Sequence, residues 1–102
     1  MVVTEFVRAT AKQGKADELR AALETAISGF PDQPGCRSAR ALQAVESEDP
    51  RIFFLVIEWD SVEEHLAWRD SDSEHRRSFV ENVRPLFDGS NLTGHFVGFV
   101  EA

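Results

Sequence analysis

The sequence predicts one α+β domain over residues 1–102, an antiparallel sheet that carries its helices on one face. Two observations predict it. Strand-like and helix-like hydrophobic periods follow one another in the order strand, helix, strand, strand, two helices, strand. No repeat, low-complexity tract or long linker divides the chain.

The first strand is expected over "VVTEFVRA", residues 2–9, where branched and aromatic side chains mix with polar ones. In "KQGKADELRAALETAISG" the period changes to that of a helix. Leu19, Ala22, Leu23, Ala26 and Ile27 form one stripe that Phe30 continues, while Glu18, Arg20 and Glu24 fall mostly off it. Asp17 and Glu18 suit the positive N-terminus of that helix, and Gly29 is a plausible stop. "PDQPG" supplies a rigid loop before two further strands, "CRSARALQAV" and "RIFFLVIEW", with "ESEDP" as the turn between them. "SVEEHLAWRD" is a short helix with Ser61 and Glu64 at capping-box spacing. "SDSEHRRSFVENVRPLF" is another; Ser71 and Glu74 repeat the spacing, Ser73 is an alternative cap, and Pro85 ends or bends the helix. After the turn "DGSN", the segment "LTGHFVGFV" is expected to close the sheet.

This order is that of a ferredoxin-like unit. One feature of it is incomplete within a single chain. Residues 52–57 are apolar without interruption, so both faces of the third strand require cover, whereas a half-solvated antiparallel strand alternates. The helices cover one face and no remaining segment can cover the other, so a homodimer with sheet packed on sheet is expected. The small size of the domain points the same way, because short chains bury a smaller share of their surface.

Composition excludes several classes. The 18 acidic residues exceed the 11 basic ones, which argues against a nucleic-acid partner. Cys36 is the only cysteine, so an internal disulfide is impossible and thiolate metal sites are unsupported. No charged segment followed by an apolar one opens the chain, and no apolar run approaches the roughly 20 residues that span a bilayer, so a soluble cytoplasmic protein without a membrane partner is expected. His65 and His75 are not at ligand spacing for one helix face, no HExxH pair occurs, and no metal is expected. GxSxG and GxGxxG patterns are also missing, so neither a serine nucleophile elbow nor nucleotide binding has a warrant.

The candidate site lies on the two later helices. Val62 and Leu66 mark the buried edge of the first, and Trp68 sits further round it. Its indole either seals a corner between helices or at a dimer edge, or walls a ligand pocket. His75, Phe79 and Val83 are spaced at i, i+4, i+8 and face one interior. There His75 either exchanges a proton with a phenolic ligand or is a structural histidine satisfied by a carbonyl. His65 belongs either to the same pocket or, at its polar position, to the surface; for His95 a structural hydrogen bond or a dimer contact is favoured over catalysis. Arg76 and Arg77 can steady an anion or stay solvated, with Arg8 and Arg40 weaker candidates. His75, Trp68 and Arg76 are the catalytic candidates, and His65, Phe79 and Val83 those for substrate contact.

The chain also resembles the antibiotic biosynthesis monooxygenase family across essentially its whole length. The resemblance is carried by "GKADELRAAL", the "PGC" lead-in to the second strand, "FFLVIEWDSVEEHLAW" and "SDSEHRRSFVENVRPL", with Pro34-Gly35, Trp59, the Trp68 position and the helix end at Val83, Arg84, Pro85 and Leu86. It implies a dimeric α+β barrel with a pocket between helices and sheet in each subunit. It also implies oxygenation of a quinol, anthrone or related aromatic by dioxygen, in several members without flavin or metal, so no cofactor is expected. By that resemblance Trp68 and Phe79 hold the aromatic faces, His75 handles the phenolic proton and Arg76 steadies the anion. Quinol-oxidising relatives often carry a histidine at the Trp68 position. A haem-degrading branch shares the helix tryptophan, but its first-strand asparagine has no counterpart in "VVTEFVRA" and its haem-ligating histidine falls near Ser78. The runner-up function is a noncatalytic dimeric small-molecule-binding or accessory protein.

Overall fold

The computed structural model describes residues 1–45 and 49–102. The elements are β1 (Val3–Thr10), α1 (Ala16–Gly29), β2 (Cys36–Gln43), β3 (Ile52–Trp59), α2 (Val62–Arg69), α3 (Glu74–Asn82) and β4 (Leu92–Phe96). All neighbours in the four-stranded sheet are antiparallel, in the order β2-β3-β1-β4, which is the ferredoxin-like arrangement expected. Of the turn "ESEDP", residues 46–48 lie outside the described residues.

Strand parity divides the sheet. Val3, Val7 and Ala9 of β1 and Phe53, Leu55, Ile57 and Trp59 of β3 point under the helices and are buried, joined by Leu19, Leu23 and Phe30. Phe6, Phe54 and Val56 point to the other face and are only half-buried, while Leu42, Leu92 and Phe96 beside them are exposed. The unbroken apolar run of β3 therefore has one face in the core and the other on an open sheet surface.

The helix ends follow local chemistry. α1 stops at Gly29, as expected, and a 3-10 turn over Phe30–Asp32 follows it directly, with Pro31 tolerated in that first turn. Ser61 caps α2 by accepting the Glu64 N–H at 3.2 Å. Ser73, not Ser71, caps α3, accepting the Arg76 N–H at 3.2 Å. Ser71 is taken up by the preceding helix, where its hydroxyl donates to the Trp68 carbonyl at 2.8 Å. α3 ends at Asn82 and a 3-10 turn over Arg84–Leu86 accommodates Pro85.

The last strand is shorter than its sequence. β4 ends at Phe96, opposite Thr4, and β1 has only one further residue, Val3, to offer. Residues 97–100 thus run past the end of their partner strand, with Val97, Phe99 and Val100 exposed. Among the described residues no helix is long and apolar enough to cross a membrane.

Candidate active site

A hollow of about 520 Å³ opens between the helix layer and the β1/β4 half of the sheet, within the size range of small-molecule sites. Val7, Leu55 and Ile57 form its floor, and Phe30, Trp68, Phe79 and Phe87 its apolar walls. Glu5, His65, His95, Thr93 and Asn91 give it a polar border that runs along β4, and Arg69, Arg76 and Arg84 also line it. A second hollow of about 560 Å³ lies between α1 and β2, walled mainly by Leu23, Ile27, Leu42, Val45 and Phe53. Its polar groups are Arg20, Glu24 and Gln43, and Arg20 bonds both Glu24 and Gln43. Only the first hollow joins histidines, an aromatic wall and arginines.

Trp68 is 6% exposed, and its ring wall is doubled by Phe30 and Phe79 with centroids at 5.0 and 5.7 Å. Its single donor is already used, because the indole N–H bonds His75 Nδ1 at 3.0 Å. His75 Nε2 in turn lies 2.9 Å from the Ala26 carbonyl. Accepting at Nδ1 and donating at Nε2, the His75 ring has no nitrogen left over and ties α2 and α3 to the end of α1. Gly29 makes this possible, since a Cβ there would sit 2.8 Å from the His75 ring. His75 stands behind the tryptophan and does not border the hollow; Val83, 1% exposed, lies in the core. Trp68, Arg76, His65 and Phe79 of the expected set do come together around it.

Arg76 lies across the Trp68 face, its guanidinium carbon 4.9 Å from the ring centroid. Arg69 pairs with Asp70 at 3.0 Å, whereas among the described residues neither Arg76 nor Arg84 has an ion-pair partner. Burial pulls the Arg76 guanidinium below its ordinary value, the charges of Arg84 and Arg69 push the same way, and Asp70 and Glu5 oppose them. A protein of net charge −7 therefore concentrates under-compensated positive charge at the wall of one apolar hollow. Arg77 bonds the Asp72 carbonyl away from this wall, and Arg8 and Arg40 stand opposite Phe54 and Val56 on the other sheet face.

Glu5 is the site member that sequence reasoning misses, and His95, expected as a structural or dimer-contact group, borders the hollow beside it. Glu5 and His95 are direct cross-strand partners on β1 and β4, on the helix-covered face. His65 descends from α2 onto them, 8% exposed, its ring stacked on Trp59 at 5.3 Å. Its Nε2 is 3.2 Å from Glu5 Oε1, and its Nδ1 is 2.7 Å from His95 Nε2. The same Glu5 oxygen accepts the Trp59 indole N–H at 3.0 Å. Glu5 carried a signal: it shares the parity of Val3, Val7 and Ala9, and a carboxylate on the inward side of a strand demands a partner. These groups are bonded in series, each end of the His65 ring serving one neighbour. Among the described residues no group of three or more His, Cys, Asp or Glu side chains is arranged to hold a metal ion.

The model of the antibiotic biosynthesis monooxygenase family matches residues 2–82. The chain belongs to that family. Solved structures that bear the family's name agree in fold. One from Bordetella bronchiseptica superposes with a TM-score of 0.82 at 19% identity, covering 97% of this chain and 98% of its own. One from Nitrosomonas europaea gives 0.81 at 18% identity, covering 95% and 89%. One from Chloroflexus aurantiacus gives 0.71 at 24% identity, covering 99% and 98%. Comparison with curated proteins yields no match. At these identities the structural likeness establishes the fold. On that shared fold, Ser78, the position nearest the haem-branch histidine, is an exposed residue of α3 bonded to Asn82.

Proposed function

We propose that this chain is a cytoplasmic, homodimeric monooxygenase that oxidises an electron-rich aromatic, such as a quinol or anthrone, with dioxygen. Membership of the antibiotic biosynthesis monooxygenase family supports the reaction class. The single observation that carries the reading is the Arg76 guanidinium, without an ion-pair partner among the described residues, lying on the Trp68 face at the edge of an apolar hollow. Such a wall holds a flat ring and favours its anion over its neutral form.

The chemistry follows from ionising the guest. A deprotonated phenol or enol is electron-rich enough to reduce dioxygen itself, so neither flavin nor metal is needed as electron source. For an anthrone, one oxygen atom replaces the two hydrogens of the ring methylene as a carbonyl, and the other leaves as water carrying those two hydrogens. The substrate supplies all the electrons. Phe30, Trp68, Phe79 and Phe87 align the guest and keep bulk water from its reacting carbon. His75 acts as a positioning residue that fixes the Trp68 ring.

The dimer reading is supported by the uncovered sheet face. Phe96 and Leu92 on that face are 57% and 66% exposed, and the apolar residues 97–100 extend beyond it. A second copy packed face to face would bury both.

The test is to mix metal-free, flavin-free protein with a panel of quinols and anthrones under argon, admit labelled dioxygen, and follow mass. Incorporation of one labelled atom at a rate well above buffer supports the reading. Equal rates with and without protein remove it, and saturable binding with no product points to the noncatalytic alternative.

A further inference from the structure

We propose that Glu5, His65 and His95 form a proton relay whose outer end, Nδ1 of His95, removes the hydroxyl proton of the aromatic guest. The inference rests on the reading of the hollow as the place where such a guest is ionised, and it names the base.

The direction of the relay follows from counting protons. The Glu5 carboxylate can only accept, so the two hydrogens aimed at Oε1 are those of Trp59 Nε1 and His65 Nε2. A neutral His65 then has a lone pair on Nδ1, and the 2.7 Å contact requires His95 to donate its Nε2–H there. The neutral chain has one ring nitrogen with no partner among the described residues, Nδ1 of His95. It belongs to an exposed residue at the border of the hollow, while His65 is enclosed.

Proton transfer is balanced within these groups. The guest O–H bond breaks, its electron pair stays on oxygen, and an N–H bond forms at His95 Nδ1. The proton already on His95 Nε2 moves to His65 Nδ1. Positive charge thereby passes from the exposed ring to His65, which stands against the Glu5 carboxylate and stacks on Trp59. The aromatic oxyanion left in the hollow faces Arg76 and Arg84. Other charged or titratable groups near the relay are Arg69 and Asp70 at the end of α2, and Cys36 on β2, whose thiol lies within electrostatic reach of Glu5.

The relay differs from a histidine that merely braces the fold. His75 is the internal contrast, since both its nitrogens are consumed by Trp68 and Ala26. His95 sits on a four-stranded sheet edge, where Gln can replace it without opening the core.

Umbelliferone tests the assignment without any oxidation. It is a flat phenol whose ground-state absorption separates neutral from ionised dye, and at neutral pH the free dye is mostly neutral. Wild-type protein at saturating dye is expected to hold it largely as the phenolate. His95→Gln is expected to leave it neutral, and Glu5→Gln to lower the ionised-to-neutral ratio by about tenfold by removing the charge that receives His65. Circular dichroism checks that each variant is folded. The assignment is overturned if wild-type protein shows no ionised band, if His95→Gln ionises the dye as wild type does, or if His75→Gln abolishes the band while His95→Gln keeps it. The two readings fail separately. An ionised dye with no labelled oxygen in any quinol removes the oxygenase and leaves the relay, whereas full turnover by His95→Gln removes the relay and leaves the oxygenase.

Discussion

Arg76 is held by geometry available to few cations on this surface: its stem is partly buried, its guanidinium covers an indole, and its neighbours Arg69 and Arg84 share its sign. An anion in the hollow relieves that crowding. Arg76→Ala is therefore expected to lower kcat by roughly 100-fold on a phenolic substrate, the lower end of the range for losing one oxyanion-stabilising group. Arg76→Lys recovers part of the rate but not the flat stacking on Trp68. Steady-state kinetics check this, and a change in KM with an unchanged kcat would show that the arginine only binds substrate. Cys36 gives a residue-scale prediction of another kind. Burial, with the charges of Glu5 and Asp60 adding to it, pushes its thiol from 9.0 up to about 11. The folded state thus holds that proton more tightly than the unfolded one. The associated stability is complete below pH 9.0 and declines as pH rises through about 11. Alkylation of the native protein by iodoacetamide at pH 8 should be far slower than alkylation in denaturant, and equal rates would contradict the burial.

At the scale of elements, His75 is a stitch. Through Trp68 and Ala26 it binds α2, α3 and the last turn of α1 together, in a slot that Gly29 leaves open. Replacing it by Ala strands the Trp68 N–H and the Ala26 carbonyl, at a cost of about 1–3 kcal/mol in urea unfolding. Gly29→Ala should destabilise too, by forcing the same ring aside. Most of the element layout was legible because hydrophobic period and capping chemistry are local: the stripe from Leu19 to Phe30, the run 52–57 and Ser61 all lie where their sequence places them. The misses have tertiary causes. Ser71 and Ser73 offered equivalent caps until the end of α2 claimed the Ser71 hydroxyl. "LTGHFVGFV" is strand-like throughout, yet only residues opposite β1 can join the ladder. His75, Phe79 and Val83 share one helix line, but the hollow takes Phe79 and leaves the other two to the packing around it.

For the whole molecule, the outstanding feature is a sheet with one finished face. Phe6, Phe54, Val56 and Phe96 form an apolar surface with the Phe6 ring 5.2 Å from Phe54 and 6.1 Å from Phe96. If two copies close over it, sedimentation equilibrium gives twice the 11.5 kDa of the chain. Phe96→Glu then acts twice in a two-fold interface. Losing about 1.5 kcal/mol or more per Phe raises the dimer Kd roughly a hundredfold. A monomeric wild-type protein at micromolar concentration would remove this expectation.

The order of strands and helices, the family and the buried face of α1 are legible in the sequence, which leaves open whether Trp68 walls a pocket and whether Arg76 faces it. The elements and the α1 stripe rest on neighbours a few residues apart, where period and spacing act directly. Tertiary structure alone decided which histidines face the hollow. Glu5, His65 and His95 are brought together from β1, α2 and β4 by antiparallel register and by the docking of one helix turn. Strand pairing fixes that register over 90 residues of sequence separation, and no local pattern encodes it.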